Sequence, residues 1–161
     1  MRHAFLLAFV VCLSASSQDL HAAEPHTMWM KYLKGTWTYS YDGLEIAGEV
    51  TYRSAADKTA LVAKGKEKDD SWVELIGWRE STKTYVFNGY GAKEGNWWMS
   101  ECKDLTRELA SGKTRGVLPD GREVSGTIQV KRKSDDEFEV TLSVKSGDED
   151  IHEVGVFKRK K

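Results

Sequence analysis

The feature that most constrains this chain is a seven-residue segment in which aromatic and small residues strictly alternate. Trp37, Tyr39 and Tyr41 occupy every second position of residues 35–41. Successive side chains of a β-strand point to opposite faces, so the three rings share one face of a half-buried strand. An Asp-Gly pair follows at residues 42–43 and predicts a tight hairpin turn. The segment therefore predicts a strand that enters an antiparallel sheet.

Similar alternation recurs to the end of the chain. Strands are predicted at 35–41, 45–53, 58–66, 71–79, 84–90, 96–102, 122–132, 137–144 and 149–159. Consecutive short strands without a long crossover favour an up-and-down arrangement, and closure removes exposed edges. We therefore predict an all-β fold, a single antiparallel up-and-down barrel of nine or ten strands, with a two-sheet sandwich as the alternative. A short N-terminal helix is predicted over 28–34, where Met28, Trp29, Tyr32 and Leu33 share one apolar face.

Two stretches depart from the simple pattern. Residues 103–116 are compatible with a helical turn or with a further strand around Leu105 and Leu109. Residues 71–79 carry apolar side chains on both faces. A strand of that kind has both faces covered, or one face meets a ligand, a helix or another subunit.

The first 23 residues have the composition of a secretory signal peptide. A basic start at Arg2 precedes an apolar run over residues 4–13, and small and polar residues follow. The run is far shorter than the ~20 residues of a membrane-spanning helix. We therefore expect residues 1–23 to be removed and residues 24–161 to form one domain, located in the periplasm or secreted.

Cysteine usage agrees with a chain whose stability comes from burial. Processing at Cys12, which would make the protein a lipoprotein, is the less favoured alternative, because Val11 stands where a small residue is expected. After removal of the first 23 residues, Cys102 is the one remaining cysteine. We therefore expect no intrachain disulfide.

Charge and histidine content restrict the possible partners. The net charge is −1, which favours neither nucleic acid nor an anionic membrane as a partner. His26 and His152 are the histidines outside the signal segment, and no residues show the spacing of a zinc site. We therefore predict no nucleic-acid partner, no membrane span and no metal.

The short helix, the Gly35-x-Trp37 opening of the first strand and the meander after it resemble the lipocalins and the wider calycin superfamily. In that family the tryptophan closes one end of the barrel beneath a basic side chain from the last strand. The resemblance implies structural roles for Gly35 and Trp37, with Arg159 or Lys158 as the basic side chain. The central aromatic pattern is similar to lipocalin-like domains of unknown function in exported bacterial proteins. The resemblance implies a ligand-binding barrel without naming its ligand.

A second resemblance is to nitrobindin, a ten-stranded haem-binding barrel. The Gly-x-Trp-x-Gly-x-Gly element of that family is matched at Gly35 and Trp37, whereas Tyr39 and Tyr41 replace the later glycines. That family ligates haem iron with a histidine near the C terminus, and His152 lies in the corresponding region. The resemblance implies haem as an alternative cofactor, whereas we expect His152 to be an ordinary core or rim residue and the protein to have no cofactor.

Aromatic side chains are the main candidate binding residues, because their number exceeds what packing one small domain requires. The candidates are Tyr39, Tyr41, Tyr52, Trp78, Tyr85, Phe87, Trp97 and His152. The first hypothesis is an exported barrel that binds one small apolar or amphipathic molecule. The second is a protein-interaction module, monomeric or homodimeric, that uses exposed aromatic strands such as 71–79 and the pair Trp97-Trp98.

The third hypothesis is a haem protein or a small enzyme that uses His152 or Glu74, the latter for proton transfer inside the barrel. Glu74 lies on an otherwise apolar face of residues 71–79. An inward Glu74 would have a raised pKa or a partner such as Arg79 or Arg115, whereas an outward Glu74 would be solvated. We favour the outward position, and we assign no catalytic residue.

Overall fold

The computed structural model describes residues 24–42, 46–92 and 95–161. The predicted signal segment and the hairpin tip after Asp42 lie outside these ranges. Helix α1 spans Pro25–Leu33, and ten strands follow: β1 (Gly35–Tyr41), β2 (Ala47–Ala55), β3 (Ala60–Glu67), β4 (Ser71–Arg79), β5 (Thr84–Gly91), β6 (Trp97–Leu105), β7 (Leu109–Val117), β8 (Glu123–Arg132), β9 (Glu137–Ser146) and β10 (Glu149–Arg159). In the described part of the chain, no helix has the length and apolar character needed to cross a membrane.

The ten strands form one closed barrel in which each strand pairs with its neighbours in sequence. β1 completes the ring by pairing with β10, and Tyr39 lies opposite Phe157. Every pairing is antiparallel. The prediction of an antiparallel up-and-down barrel with a short N-terminal helix is confirmed, and the sandwich alternative is wrong. Closure gives all ten strands a partner on both sides, which satisfies the backbone hydrogen bonds of the sheet.

The alternation that predicted the strands also determines which side chains enter the barrel. Tyr52 is buried and its neighbour Arg53 is exposed. Phe138 and Phe157 are buried on β9 and β10, and their stacked ring centres lie 4.4 Å apart. Cys102 is a free and fully buried thiol. Burial of these apolar side chains, at about 25 cal/mol per Å², therefore supplies the main stabilisation of the barrel.

β7 is the strand that the sequence pattern did not resolve. Its inward positions carry only small residues: Ala110, Gly112, Thr114 and Gly116. A Cβ atom at Gly112 would lie 1.9 Å from the carbonyl oxygen of Glu101, and one at Gly116 would lie 2.3 Å from that of Trp97. The backbones of β6 and β7 therefore approach too closely for larger side chains. A strand of this kind lacks the apolar alternation by which the other strands are recognised.

Candidate functional site

One end of the barrel is closed by Trp37 and Arg159 at the junction with α1. Trp37 is fully buried, and its indole nitrogen donates a hydrogen bond of 2.8 Å to the carbonyl oxygen of Leu33. The Arg159 guanidinium lies 4.1 Å from the centre of the Trp37 ring. It also donates hydrogen bonds of 2.8 Å to the carbonyl oxygens of Lys34 and Tyr32. These contacts fix the end of the helix across the barrel.

Gly35 makes room for this arrangement. Its φ is +118°, a backbone conformation that other residues rarely adopt, and a Cβ there would lie 3.0 Å from Nη1 of Arg159. Of the two basic side chains considered, Arg159 rather than Lys158 lies over the indole ring of Trp37.

Helix α1 forms the floor of an internal cavity. The Trp29 indole donates to the carbonyl oxygen of Thr106 at 2.9 Å, and the Tyr32 hydroxyl donates to that of Glu137 at 2.8 Å. These hydrogen bonds fix the helix to the β6–β7 turn and to the start of β9, and Leu33 faces the cavity. The helix is therefore a fixed part of the cavity wall.

The cavity has a volume of about 400 Å³ and is open at the end of the barrel opposite α1, which we call the mouth. Five of the predicted binding residues border it: Tyr39, Tyr41, Tyr52, Phe87 and Trp97. The remaining wall is largely aliphatic, with Val140, Leu142 and Val144 contributed by β9. A cavity of this size and character accommodates a small molecule.

Three predicted binding residues lie away from the cavity, and their placement is a correction. Trp78 packs at the closed end, where its ring stacks on His26 with 4.5 Å between centres. Tyr85 is fully buried in the packed part of the barrel, and its hydroxyl has no hydrogen-bond partner within the described residues. His152 is exposed on the outer surface, with its Nδ1 3.0 Å from the Ser143 hydroxyl oxygen.

The outward position of His152 follows from the alternation of β10. Its neighbours Ile151 and Glu153 border the cavity, so the side chain between them points outward. A haem bound through this histidine would therefore lie outside the barrel. The cavity wall formed by the described residues contains no histidine. Within the same residues, no three His, Cys, Asp or Glu side chains are grouped closely enough to hold a metal ion.

Trp72, Glu74 and Trp98 border the cavity, although the sequence reasoning did not assign them as binding residues. The rings of Trp72 and Trp98 meet edge to face, with centres 5.8 Å apart. Trp98, rather than its neighbour Trp97, points into the barrel. Trp97 lies opposite the exposed Tyr90 and borders only the mouth.

Four inward aromatic rings each lie over a glycine of the neighbouring strand. These aromatic–glycine pairs are Tyr39 with Gly48, Trp72 with Gly65, Trp98 with Gly89, and Tyr41 with Gly155. A Cβ at any of the four glycines would approach the paired ring to between 1.9 and 2.8 Å. The rings therefore pack against the barrel wall and leave the centre open. When two strands are paired in the sequence, a glycine opposite an aromatic residue therefore indicates that the aromatic ring points into the barrel.

Glu74 is the buried carboxyl group of the cavity. Only 8 % of the residue is exposed, and its Oε1 accepts a hydrogen bond of 2.6 Å from the indole nitrogen of Trp98. Burial raises the pKa of Glu74 to about 7, although the hydrogen bond from Trp98 opposes this increase. The favoured outward position was wrong, and the inward alternative is correct. Its partner is Trp98 rather than Arg79 or Arg115.

A second polar group lies nearer the mouth. The Tyr39 hydroxyl donates to Oε1 of Glu67 at 2.7 Å and accepts from the Trp72 indole at 2.8 Å. Burial raises the pKa of Tyr39 well above its ordinary value of 10, so the hydroxyl remains protonated at neutral pH. On another side of the cavity, burial also raises the pKa of Glu153. The mainly apolar wall thus carries several polar groups, among them the carboxyl groups of Glu67, Glu74 and Glu153.

Comparison with known proteins identifies β-barrels but no family. No protein-family model matches the chain, and no curated protein is significantly similar to it. A de novo designed fluorescence-activating β-barrel is 21 % identical over 81 % of this chain and 96 % of its own, with a TM-score of 0.45. A redesigned β-barrel, mFAP1, solved bound to DFHBI, is 11 % identical over 81 % of this chain and 97 % of its own, with a TM-score of 0.40. These neighbours are designed barrels rather than lipocalins, and the likeness carries no information about a ligand of this chain.

Proposed function

We propose that this chain is an exported protein whose barrel binds one small apolar or amphipathic molecule. The observation that supports the proposal is the cavity of about 400 Å³, closed by α1 and open at the mouth. Its wall is mainly aromatic and aliphatic, so burial of a ligand's apolar surface would stabilise the complex by about 25 cal/mol per Å². Glu74 and the Tyr39 hydroxyl would orient the ligand, as a few polar groups do in such pockets.

The proposal includes a lipocalin-like, calycin-type origin and export from the cell. Gly35, Trp37 and Arg159 support the first part, because they form the barrel end that the resemblance implies. The composition of residues 1–23 supports the second part. N-terminal sequencing of protein recovered from the periplasm or the medium is expected to give Ala23 or Glu24 as the first residue. Recovery only from the cytoplasm, with residues 1–23 intact, would contradict export.

A neutral polarity-sensitive dye tests the binding function. Prodan is expected to bind with one-to-one saturation and a blue-shifted emission. Leu142→Trp places a large ring in the cavity and should weaken binding by about tenfold, equivalent to about 1.4 kcal/mol. Thr127→Trp is the matched control, because Thr127 is exposed on the outer surface of the neighbouring strand. Equal binding by both variants, or no response from the unmodified protein, would contradict a ligand inside the barrel.

A second candidate function is self-association, which an outer apolar patch on β4 and β5 favours. Val73, Leu75 and Tyr90 are 41 %, 52 % and 62 % exposed, and Val73 lies directly opposite Tyr90. Exposed apolar clusters of this kind are typical of interaction surfaces. A homodimer detected by sedimentation velocity and abolished by Leu75→Lys would support this function. A monomer at high protein concentration would contradict it.

A further inference from the structure

The cavity combines an apolar wall with carboxyl groups that form no ion pair with a cation of the described residues. Glu67 lies at the mouth, while Glu74 and Glu153 lie further in, on β4 and β10. None of these three carboxyl groups takes part in an ion pair within the described residues. Arg115 borders the mouth, but it is exposed and lies at an outward position of β7. Among the described residues, no basic side chain points into the cavity.

The three carboxyl groups border the same cavity as Tyr41. Burial is the main cause of the raised pKa of this tyrosine, and Glu74, Glu153 and Glu67 each raise it further. The same cavity is bordered by aromatic rings, since Tyr41, Trp72 and Trp98 all line it and the Trp98 indole contacts Glu74 directly.

Carboxylates and aromatic rings attract the same kind of ligand group. An ionised carboxylate in an apolar wall is costly unless a cation or several hydrogen bonds compensate it. The face of an indole or phenol ring also attracts a cation. An apolar molecule with a positively charged nitrogen would interact favourably with both the carboxylates and the rings. The carboxylates would repel an anionic head group.

We propose that the ligand of this barrel is an apolar amine or ammonium compound whose cationic nitrogen lies against Glu74, among Tyr41, Trp72 and Trp98. Its apolar body extends towards Leu33 on the floor of the cavity. This inference rests on the proposed binding function and specifies the chemical class of the ligand.

Three probes of the same shape separate the head group from the apolar body. Naphthylmethylamine is a cation at pH 7.5, naphthalenemethanol is neutral, and naphthoic acid is an anion. Isothermal titration calorimetry should show that the amine binds about tenfold more tightly than the alcohol, as expected for an added charge-assisted contact. The acid should bind most weakly of the three.

The variant Glu74→Gln tests the assigned carboxylate, because its amide oxygen can still accept the Trp98 hydrogen bond. We expect it to lose the preference for the amine while it retains binding of the alcohol. Glu123→Gln removes the same charge from an exposed outer position and should leave the preference unchanged. An unchanged preference in Glu74→Gln would overturn the assignment.

The wild-type comparison decides the question independently of how well a variant folds. If the alcohol binds and the amine binds no more tightly, the proposed ligand class is wrong although the binding function stands. If the acid binds most tightly, the class is wrong in the same way. If none of the three binds, the binding function and the ligand class both fail.

Discussion

Substitution of Glu74 by Gln should stabilise the barrel in a way that depends on pH. The carboxyl group is almost fully buried, and its pKa of about 7 compares with an ordinary value of 4.5. This difference corresponds to about 3 kcal/mol between the protonated and ionised forms. Because the folded protein holds the proton more tightly than the unfolded chain, the free energy of unfolding falls as pH rises from 4.5 to about 7.

The variant Glu74→Gln has no carboxyl group to ionise and keeps an acceptor for Trp98. We therefore expect it to exceed the wild type in stability by about 3 kcal/mol at pH 8, and to lose this advantage near pH 4.5. The other titratable groups that interact electrostatically with Glu74, besides the cavity carboxylates Glu67 and Glu153, come from β1, β2, β5 and β6: Tyr41, Tyr52, Tyr85 and Cys102. Burial raises the pKa of each of these four, to about 12 for the thiol, so they remain neutral at pH 8.

Urea unfolding followed by tryptophan fluorescence at several pH values between 4.5 and 8 measures this difference. Glu123→Gln serves as the control, since it removes an exposed carboxylate and should track the wild type at every pH. The comparison between variants also cancels contributions from Glu67 and Glu153, which are present in both proteins. A stability difference that stays constant across the range would refute the reasoning, because it would show that Glu74 ionises in the folded protein as it does in the unfolded chain.

Four further predictions concern other contacts. Arg159→Lys should destabilise the protein by about 2 kcal/mol in chemical denaturation, because it leaves helix carbonyls without their guanidinium donors. Tyr85→Phe should stabilise it by about 1 kcal/mol, since it removes a buried hydroxyl that has no partner within the described residues. Gly89→Ala should cost about 2 kcal/mol and alter the near-ultraviolet circular dichroism, because the new methyl group collides with Trp98. If the ligand is an amine, its binding near pH 6.5 should release protons from Glu74 and weaken as pH falls, measurable by calorimetry in two buffers of different ionisation enthalpy.

The barrel was predictable because most strands have one apolar and one polar face. β10 shows where this signal fails. Its outward Val154 and Val156 are as apolar as its inward residues, and its inward positions include Glu153 and Gly155. Apolar alternation alone would place His152 on the inner face with Val154 and Val156, whereas the structure places it on the outer surface.

The sequence predicted the type of side chain that lines the cavity, but not how far along the barrel axis each side chain lies. Trp78 and Tyr85 occupy inward positions, as expected, yet they lie in the packed part of the barrel. The position of a side chain along the barrel axis depends on the stagger between neighbouring strands. The residue pattern of one strand carries no information about that stagger. The choice between Trp97 and Trp98 was similarly undetermined, because both are tryptophans and only the pairing with Gly89 distinguishes them.

The aromatic–glycine pairs also determine the internal width of the barrel. Each ring occupies the space that a side chain at the paired position of the adjacent strand would take. The width of the lumen therefore depends on the absence of a Cβ atom at these four glycines. A methyl group at Gly65, Gly89 or Gly155 would displace the paired ring inward and narrow the lumen on that side, whereas one at Gly48 would also lie 2.5 Å from the carbonyl oxygen of Lys66 on the neighbouring strand. If the barrel binds a ligand as proposed, related chains with alanine or serine at one of these glycine positions would accept only smaller ligands.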